Sequence, residues 1–225
     1  MSVSVLDREM YSEAAAARLL SVPQRTLNYW LEGGERHGRT YRPVIRLTPR
    51  GSHAPVTWAE FIEAGLLREY RRAHGVPMGE LRYFIDMIRD RTGVAYPLAH
   101  QMPFVSGRQL LLEAQEEAQL DPEFCLVATV RGQLLLTPAA DSFLKRVTWE
   151  DDIAAAFRPH DDPRSPVRIQ PDTRFGRPAV RGISTDALWE HAQAGENADD
   201  IAGEFGIAPA DVQWALAYET SARAA

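Results

Sequence analysis

Apolar residues near the N-terminus recur every three or four positions, a spacing that predicts two short helices. Ser12 can cap the first, Ala14 to Ala17 are strong helix formers, and Leu19 and Leu20 add bulk. Ser21-Val22-Pro23 breaks the pattern. Gln24 to Glu32 then resumes it, with Leu27, Trp30 and Leu31 on one face and Gly33-Gly34 at the end. After a polar, arginine-rich stretch, Pro43 to Thr48 alternates as a short strand. Pro49 to Ser52 reads as a turn and Pro55-Val56-Thr57 as the return strand. Thr57 and Glu60 form a capping-box pair ahead of a helix from Trp58 that buries Phe61, Ile62, Leu66 and Tyr70. A break at Gly75 to Met78 leads to another helix, Gly79 to Arg91, along Leu81, Phe84, Ile85 and Ile88.

The pattern then changes. Gln109 to Gln115, Phe124 to Val130 and Gln133 to Thr137 are short apolar runs separated by turn residues. With Arg131-Gly132 at a tight turn, they predict a small β-rich region. Ser142 to Trp149 fits either a strand or a helix, and Glu150-Asp151-Asp152 suit the N-terminus of a helix running to Phe157. Pro159 to Pro171 contains four prolines and reads as a linker. Gly176-Arg177-Pro178 and Gly182 mark turns around a short strand pair. Helices follow at Ser184 to Ala194, Ala198 to Phe205 and Pro209 to Glu219. The expected fold class is α+β in three parts. Residues 1–92 form a winged helix-turn-helix and 93–158 a β-rich middle. Residues 159–225 hold the proline-rich linker and a C-terminal three-helix, helix-turn-helix-like module.

Composition narrows the function classes. With 45% hydrophobic and 25% charged residues the 225-residue chain is globular. Its single cysteine, Cys125, cannot close an intrachain disulfide, and in an apolar run it reads as a core residue. Neither a bilayer-spanning apolar run nor a basic-then-apolar leader occurs, so a cytoplasmic protein without a membrane partner is expected. The six histidines are scattered, His160-Asp161-Asp162 is at most a weak metal-like cluster, and no Walker or Rossmann glycine pattern is present. No catalytic residue, metal or cofactor is therefore expected. The net charge of −6 first argues against nucleic acid, but it divides into +3 over residues 1–92 and −9 over 93–225. In 33–57, Arg36, Arg39, Arg42, Arg46 and Arg50 face only Glu35, whereas from Ile183 onward eight acids face only Arg223.

In YSEAAAARLLSVPQRTLNYWLEGG, the small Ala17 permits close approach of two helices. Leu20 and Val22 fill the wedge, and Leu27 with Trp30 secure the second helix. Gln24, Arg25, Thr26, Asn28 and Tyr29 then lie on the part of the second helix that enters the major groove in such motifs. Arginine suits guanine, and glutamine or asparagine suits adenine. Arg39, Arg42, Arg46 and Arg50 would act as a wing, reaching phosphates or the minor groove. This order resembles the DNA-binding domain of MerR-type regulators, carried by Ala16-Ala17-Arg18-Leu19-Leu20 and Thr26-Leu27-Asn28-Tyr29-Trp30. The resemblance implies operator double-stranded DNA as a partner and a homodimer on a near-palindromic site.

A second resemblance lies in Val167-Arg168-Ile169-Gln170-Pro171 and Phe175-Gly176-Arg177-Pro178-Ala179-Val180-Arg181-Gly182, followed by three helices. It is similar to domain of unknown function 433, except that Gly182-Ile183-Ser184-Thr185 replaces the usual Gly-Thr-Arg-Ile. Joined to a MerR-like N-terminus, the wording GRPAVRGIST resembles the antitoxins of VapBC-type pairs. That resemblance implies holding a PIN-domain, VapC-like ribonuclease toxin inactive and repressing a shared operon. Such toxins cut RNA with a carboxylate cluster and magnesium, and the guanidinium fork pairs well with carboxylates. Arg168, Arg174, Arg177 and Arg181 are the candidate toxin contacts. A stand-alone MerR-like regulator sensing a small molecule through its middle region is the alternative, and an adaptor with two helical ends is a third.

Overall fold

The computed structural model describes residues 4–36, 38–51, 53–73, 78–119, 125–130 and 133–224. Strand β1 (Glu9–Tyr11) leads into α1 (Glu13–Leu19), whose first turn is capped by Ser12 Oγ accepting from the Ala15 amide at 3.2 Å. Ala16 and Ala17 are buried, and their small side chains let α2 (Gln24–Glu32) approach and seat Leu27, Trp30 and Leu31 in the core. The second helix ends at Gly33, at φ +73° and ψ −145°, a region closed to residues with a side chain. A Cβ there would also run into the Tyr41 carbonyl oxygen, because β2 (Gly34–Arg36) turns straight back to pair with β3 (Arg39–Tyr41).

The basic hairpin thus lies earlier than the alternation of 43–48 predicts. Val44, Ile45 and Arg46 are all buried while Leu47 is 61% exposed, which no strand alternation allows. The amides of Val44 and Ile45 both donate to the Trp30 carbonyl, at 2.9 and 3.0 Å, forming a buried bend instead of a ladder. The expected return strand, β4 (Val56–Thr57), pairs with β1. The capping box closes in both directions. Glu60 N donates to Thr57 Oγ1 at 3.3 Å, and Thr57 N donates to Glu60 Oε2 at 3.0 Å, opening α3 (Trp58–Ala73). Trp58 stacks on Phe61 with centroids 5.5 Å apart, and its indole donates to the Ala154 carbonyl at 2.6 Å. Helix α4 (Met78–Thr92) adds Phe84, Ile85 and Ile88 to this core. The expected break at Gly75-Val76-Pro77, the turn residue Ser52 and the side chains of Arg36, Tyr70 and Leu81 lie outside the described residues.

The middle region departs furthest from the sequence reading. After α5 (Met102–Val105), the Gln109 to Gln115 run belongs to α6 (Arg108–Glu117), not to a strand. Leu111, Ala114, Gln115 and Ala118 are buried at helical spacing, a period masked by three consecutive leucines. Gln115 Nε2 donates to the Val127 carbonyl at 2.6 Å, and its Oε1 accepts from the Leu126 and Val127 amides. These bonds hold the start of β5 (Val127–Val130), which pairs with β6 (Gln133–Leu136) as the expected hairpin. Its turn, Arg131-Gly132, and Phe124 lie outside the described residues. The ambiguous segment 142–149 is divided between α7 (Pro138–Arg146) and β7 (Val147–Glu150). Asp151 and Asp152, at φ +47° and +70°, turn the chain into β8 (Ile153–Phe157), where a helix was expected.

The chain divides into two compact units, residues 1–145 with 149–154 and residues 146–148 with 155–225. In the second, the proline-rich stretch that reads as a linker is packed. Phe157 and Ile169 exchange backbone hydrogen bonds at 2.9 and 2.8 Å, and Ser165, Val167 and Ile169 are buried. The Arg146 guanidinium donates to the carbonyls of Arg158 and Pro159 at 2.9 and 2.7 Å and pairs with Asp161 at 2.9 Å. Short strands β9 (Ala179–Val180) and β10 (Ile183–Ser184) pair across Arg181-Gly182. Helices α8 (Thr185–Gln193), α9 (Ala198–Phe205) and α10 (Pro209–Ala224) then enclose Val180, Leu188, Ile201, Val212 and Ala215. Among the described residues no helix is long and apolar enough to cross a membrane.

Candidate nucleic-acid and partner interfaces

Gln24 and Arg25 stand exposed on the first turn of α2. Thr26 and Tyr29 face inward instead, Tyr29 meeting Tyr41 edge-on with centroids 6.5 Å apart. Asn28 is half-buried and its amide donates to Glu13 Oε2 at 3.0 Å. Of the hairpin arginines, Arg39 is exposed on β3, and Arg42 is exposed and pairs with Asp86 at 3.2 Å. Arg50 pairs with Glu9 at 2.7 Å and approaches Glu60 at 3.4 Å.

Arg46, expected to reach phosphates, is 2% exposed. Its Nε and Nη2 donate to the two Glu60 oxygens at 2.8 and 3.0 Å, Nη1 pairs with Glu32, and Nη2 also donates to the Pro55 carbonyl at 3.1 Å. Burial opposes its charge, but the hydrogen bonds and charges of Glu60 and Glu32 outweigh it and raise its pKa. Arg46 therefore ties α2, the 43–48 bend and α3 together. The sequence carried a faint signal of this, since Arg46 follows two consecutive apolar residues and Glu60 closes a capping box.

One turn along α3, Glu63 is also fully buried. Burial pushes its carboxyl up to about 7, assisted by Glu60 and opposed by Arg89 at 3.6 Å and by the Leu98 amide at 3.1 Å. A carboxyl whose pKa is raised on folding favours the native state below its unfolded value, and that contribution is lost as pH rises through the folded value. Glu63→Gln is therefore expected to leave stability nearly unchanged below pH 4 and to increase it by about 3 kcal/mol at pH 8. Urea unfolding of the full chain at the two pH values checks this, and an equal effect at both would refute it.

In the C-terminal unit, Arg168 is half-buried and its Nη1 donates to the carbonyls of Ser165 and Val167 at 2.6 and 2.9 Å. Burial, with Arg158 nearby, lowers its pKa. Arg174, Arg177 and Arg181 are exposed; Arg174 Nε donates to the Gly182 carbonyl at 2.7 Å, and Arg181 reaches Asp211 at 3.3 Å. Between them Phe175, which the sequence shows only as the start of the Phe175–Gly182 motif, is 90% exposed. Arg174, Phe175 and Gly176 all take positive φ, at +50°, +55° and +71°. Beside this turn is a groove of about 490 Å³ lined by Arg174, Arg181, Ile183, Phe205, Ile207 and Asp211. In the His160-Asp161-Asp162 cluster, Asp161 pairs with Arg146. Asp162 is held down at about 2 by hydrogen bonds from Arg164. His191 Nδ1 lies 2.9 Å from Glu196 and 3.7 Å from Glu204.

Residues 167–218 match the family described as "Protein of unknown function (DUF433)", the module its sequence resembles. Over its full length the chain is 34% identical to "Uncharacterized protein Rv2308" of Mycobacterium tuberculosis, covering 96% of that protein. It is 27% identical to a protein of the same organism named "Putative antitoxin VapB45", over 93% of each chain. The crystal structure of Rv2018 from Mycobacterium tuberculosis superposes with a TM-score of 0.76 at 26% identity, covering 94% of this chain and 99% of that one. The α+β class is thus shared by a solved relative.

Proposed function

The chain belongs to the same family as Rv2308, and on that footing we propose that it is the antitoxin of a toxin–antitoxin pair. It silences a PIN-domain, VapC-like ribonuclease encoded beside it and represses their operon by binding operator DNA, with no catalysis of its own. The observation that carries this reading is the likeness, over 93% of the chain, to the protein named "Putative antitoxin VapB45". The DUF433 match at 167–218 supports it.

The two units divide the work. The N-terminal unit acts as a MerR-like helix-turn-helix, with β2–β3 as its wing and with Gln24 and Arg25 meeting base edges. Asn28 joins them once it releases Glu13. Arg39 and Arg42 meet phosphates, which fix register without reading sequence. A homodimer on a near-palindromic operator repeats these contacts one helical turn away. The C-terminal unit faces the nuclease through Arg174, Arg177 and Arg181. Co-expression with the neighbouring PIN-domain gene tests the reading. The nuclease alone is expected to arrest growth, and the pair to restore growth and co-purify; persistent arrest with no shared complex overturns it.

A further inference from the structure

We propose that the Arg174–Arg181 turn of the C-terminal unit docks an acidic segment of a protein partner, with Phe175 as its apolar anchor. The inference rests on the antitoxin reading above and identifies the occupant as a segment of the nuclease that carries carboxylates around an apolar socket.

Three observations converge on this turn. Phe175 is 90% exposed, although burying a phenylalanine ring is among the larger gains available to a folding chain. Its backbone, like that of Arg174, sits in the left-handed region that side chains disfavour, so the fold holds this ring outward against two costs. The turn is also pinned, by Gly176 N to Thr173 O at 3.0 Å, Arg177 N to Arg174 O at 3.1 Å and Arg174 Nε to Gly182 O at 2.7 Å. A surface built at such cost and fixed in place is preorganised for contact.

The charges select the partner. Arg174 and Arg177 lie one and two residues from Phe175 along the exposed turn and make no ion pair among the described residues, while Arg181 lines the adjoining groove with Arg174. The guanidinium of Arg177, and the two terminal nitrogens of Arg174, can each take a carboxylate through two parallel hydrogen bonds. The adjoining groove of about 490 Å³ offers Ile183, Phe205 and Ile207 to an apolar residue of the same segment. Aromatic and arginine side chains together are the usual energetic centre of a protein interface.

The test uses the full chain and the PIN-domain nuclease encoded beside it, titrated by calorimetry. Phe175→Ala is expected to weaken binding by about 30-fold or more, and Arg177→Glu by about 10-fold, with melting temperatures unchanged because both side chains are exposed. Phe175→Trp should retain the affinity. If the native chain binds the nuclease and Phe175→Ala binds it equally well, the docking inference falls and the antitoxin reading stands. If the native chain does not bind the nuclease, both fall. The docking inference is also overturned if Phe175→Ala spares nuclease binding and alters only sedimentation of the chain alone, or only retention of a 20-nucleotide DNA or RNA.

Discussion

Replacing Arg46 by alanine is expected to destabilise the N-terminal unit by about 3–5 kcal/mol, the range seen when one partner of a buried ion pair is removed. Glu60 is fully buried and accepts two hydrogen bonds from this guanidinium, so the substitution leaves a carboxylate in the core with its main countercharge gone. Glu32 loses its ion pair at the end of α2 and keeps only the Arg50 and Gly51 amides, and the Pro55 carbonyl loses a donor. Arg46→Lys keeps the charge but not the fork, and should recover only part of the loss. Urea unfolding measures both. A cost below about 1 kcal/mol, of the size expected for an exposed pair, would show that Arg46 is not the tie described here.

The second large effect concerns sequence discrimination. Gln24→Ala with Arg25→Ala should remove about 2–4 kcal/mol of the preference for operator over random duplex, since each paired contact to a base edge contributes about 1–3 kcal/mol. Both residues are exposed, so stability should change by no more than about 0.5 kcal/mol. Binding to random duplex should survive, because Arg39 and Arg42 remain. Arg42→Ala should do the reverse, weakening all duplexes alike and reducing the slope of log K against log salt by about 1. Fluorescence anisotropy with operator and scrambled duplexes separates the two. Discrimination unchanged in the double variant would remove α2 from the reading role.

The features legible in the sequence are those whose partners are close along the chain. Ser12 capping α1, the Thr57–Glu60 box, the stop at Gly33 and the start of α10 at Pro209 all lie where local chemistry places them. The β-rich reading of 109–115 failed because a leucine run hides the helical period, and the buried face emerges in the fold, where Leu111 and Ala114 are covered and Gln115 donates to Val127 and accepts from Leu126. Asp151-Asp152 resembled a helix start, but aspartate also tolerates the left-handed conformation a two-residue hairpin turn requires.

Charge was misleading in a different way. Residues 33–57 count five arginines against one acid along the chain, yet in space Glu9, Glu32 and Glu60 reach Arg46 and Arg50 from outside that stretch. Among the described side chains of that stretch, Arg39 and Arg42 stay exposed and clear of these three acids, and Arg25 is exposed on α2. Conversely, the exposure of Phe175 depends on three successive positive-φ residues, which no periodicity encodes.

The central claim, that this chain neutralises a ribonuclease, is tested most directly by titrating the purified protein into an RNA-cleavage reaction run by the neighbouring PIN-domain nuclease. The account predicts that cleavage falls in proportion to added protein and stops at a fixed molar ratio, with both chains in one size-exclusion peak. Undiminished cleavage at a tenfold excess, with the two chains eluting separately, would contradict it.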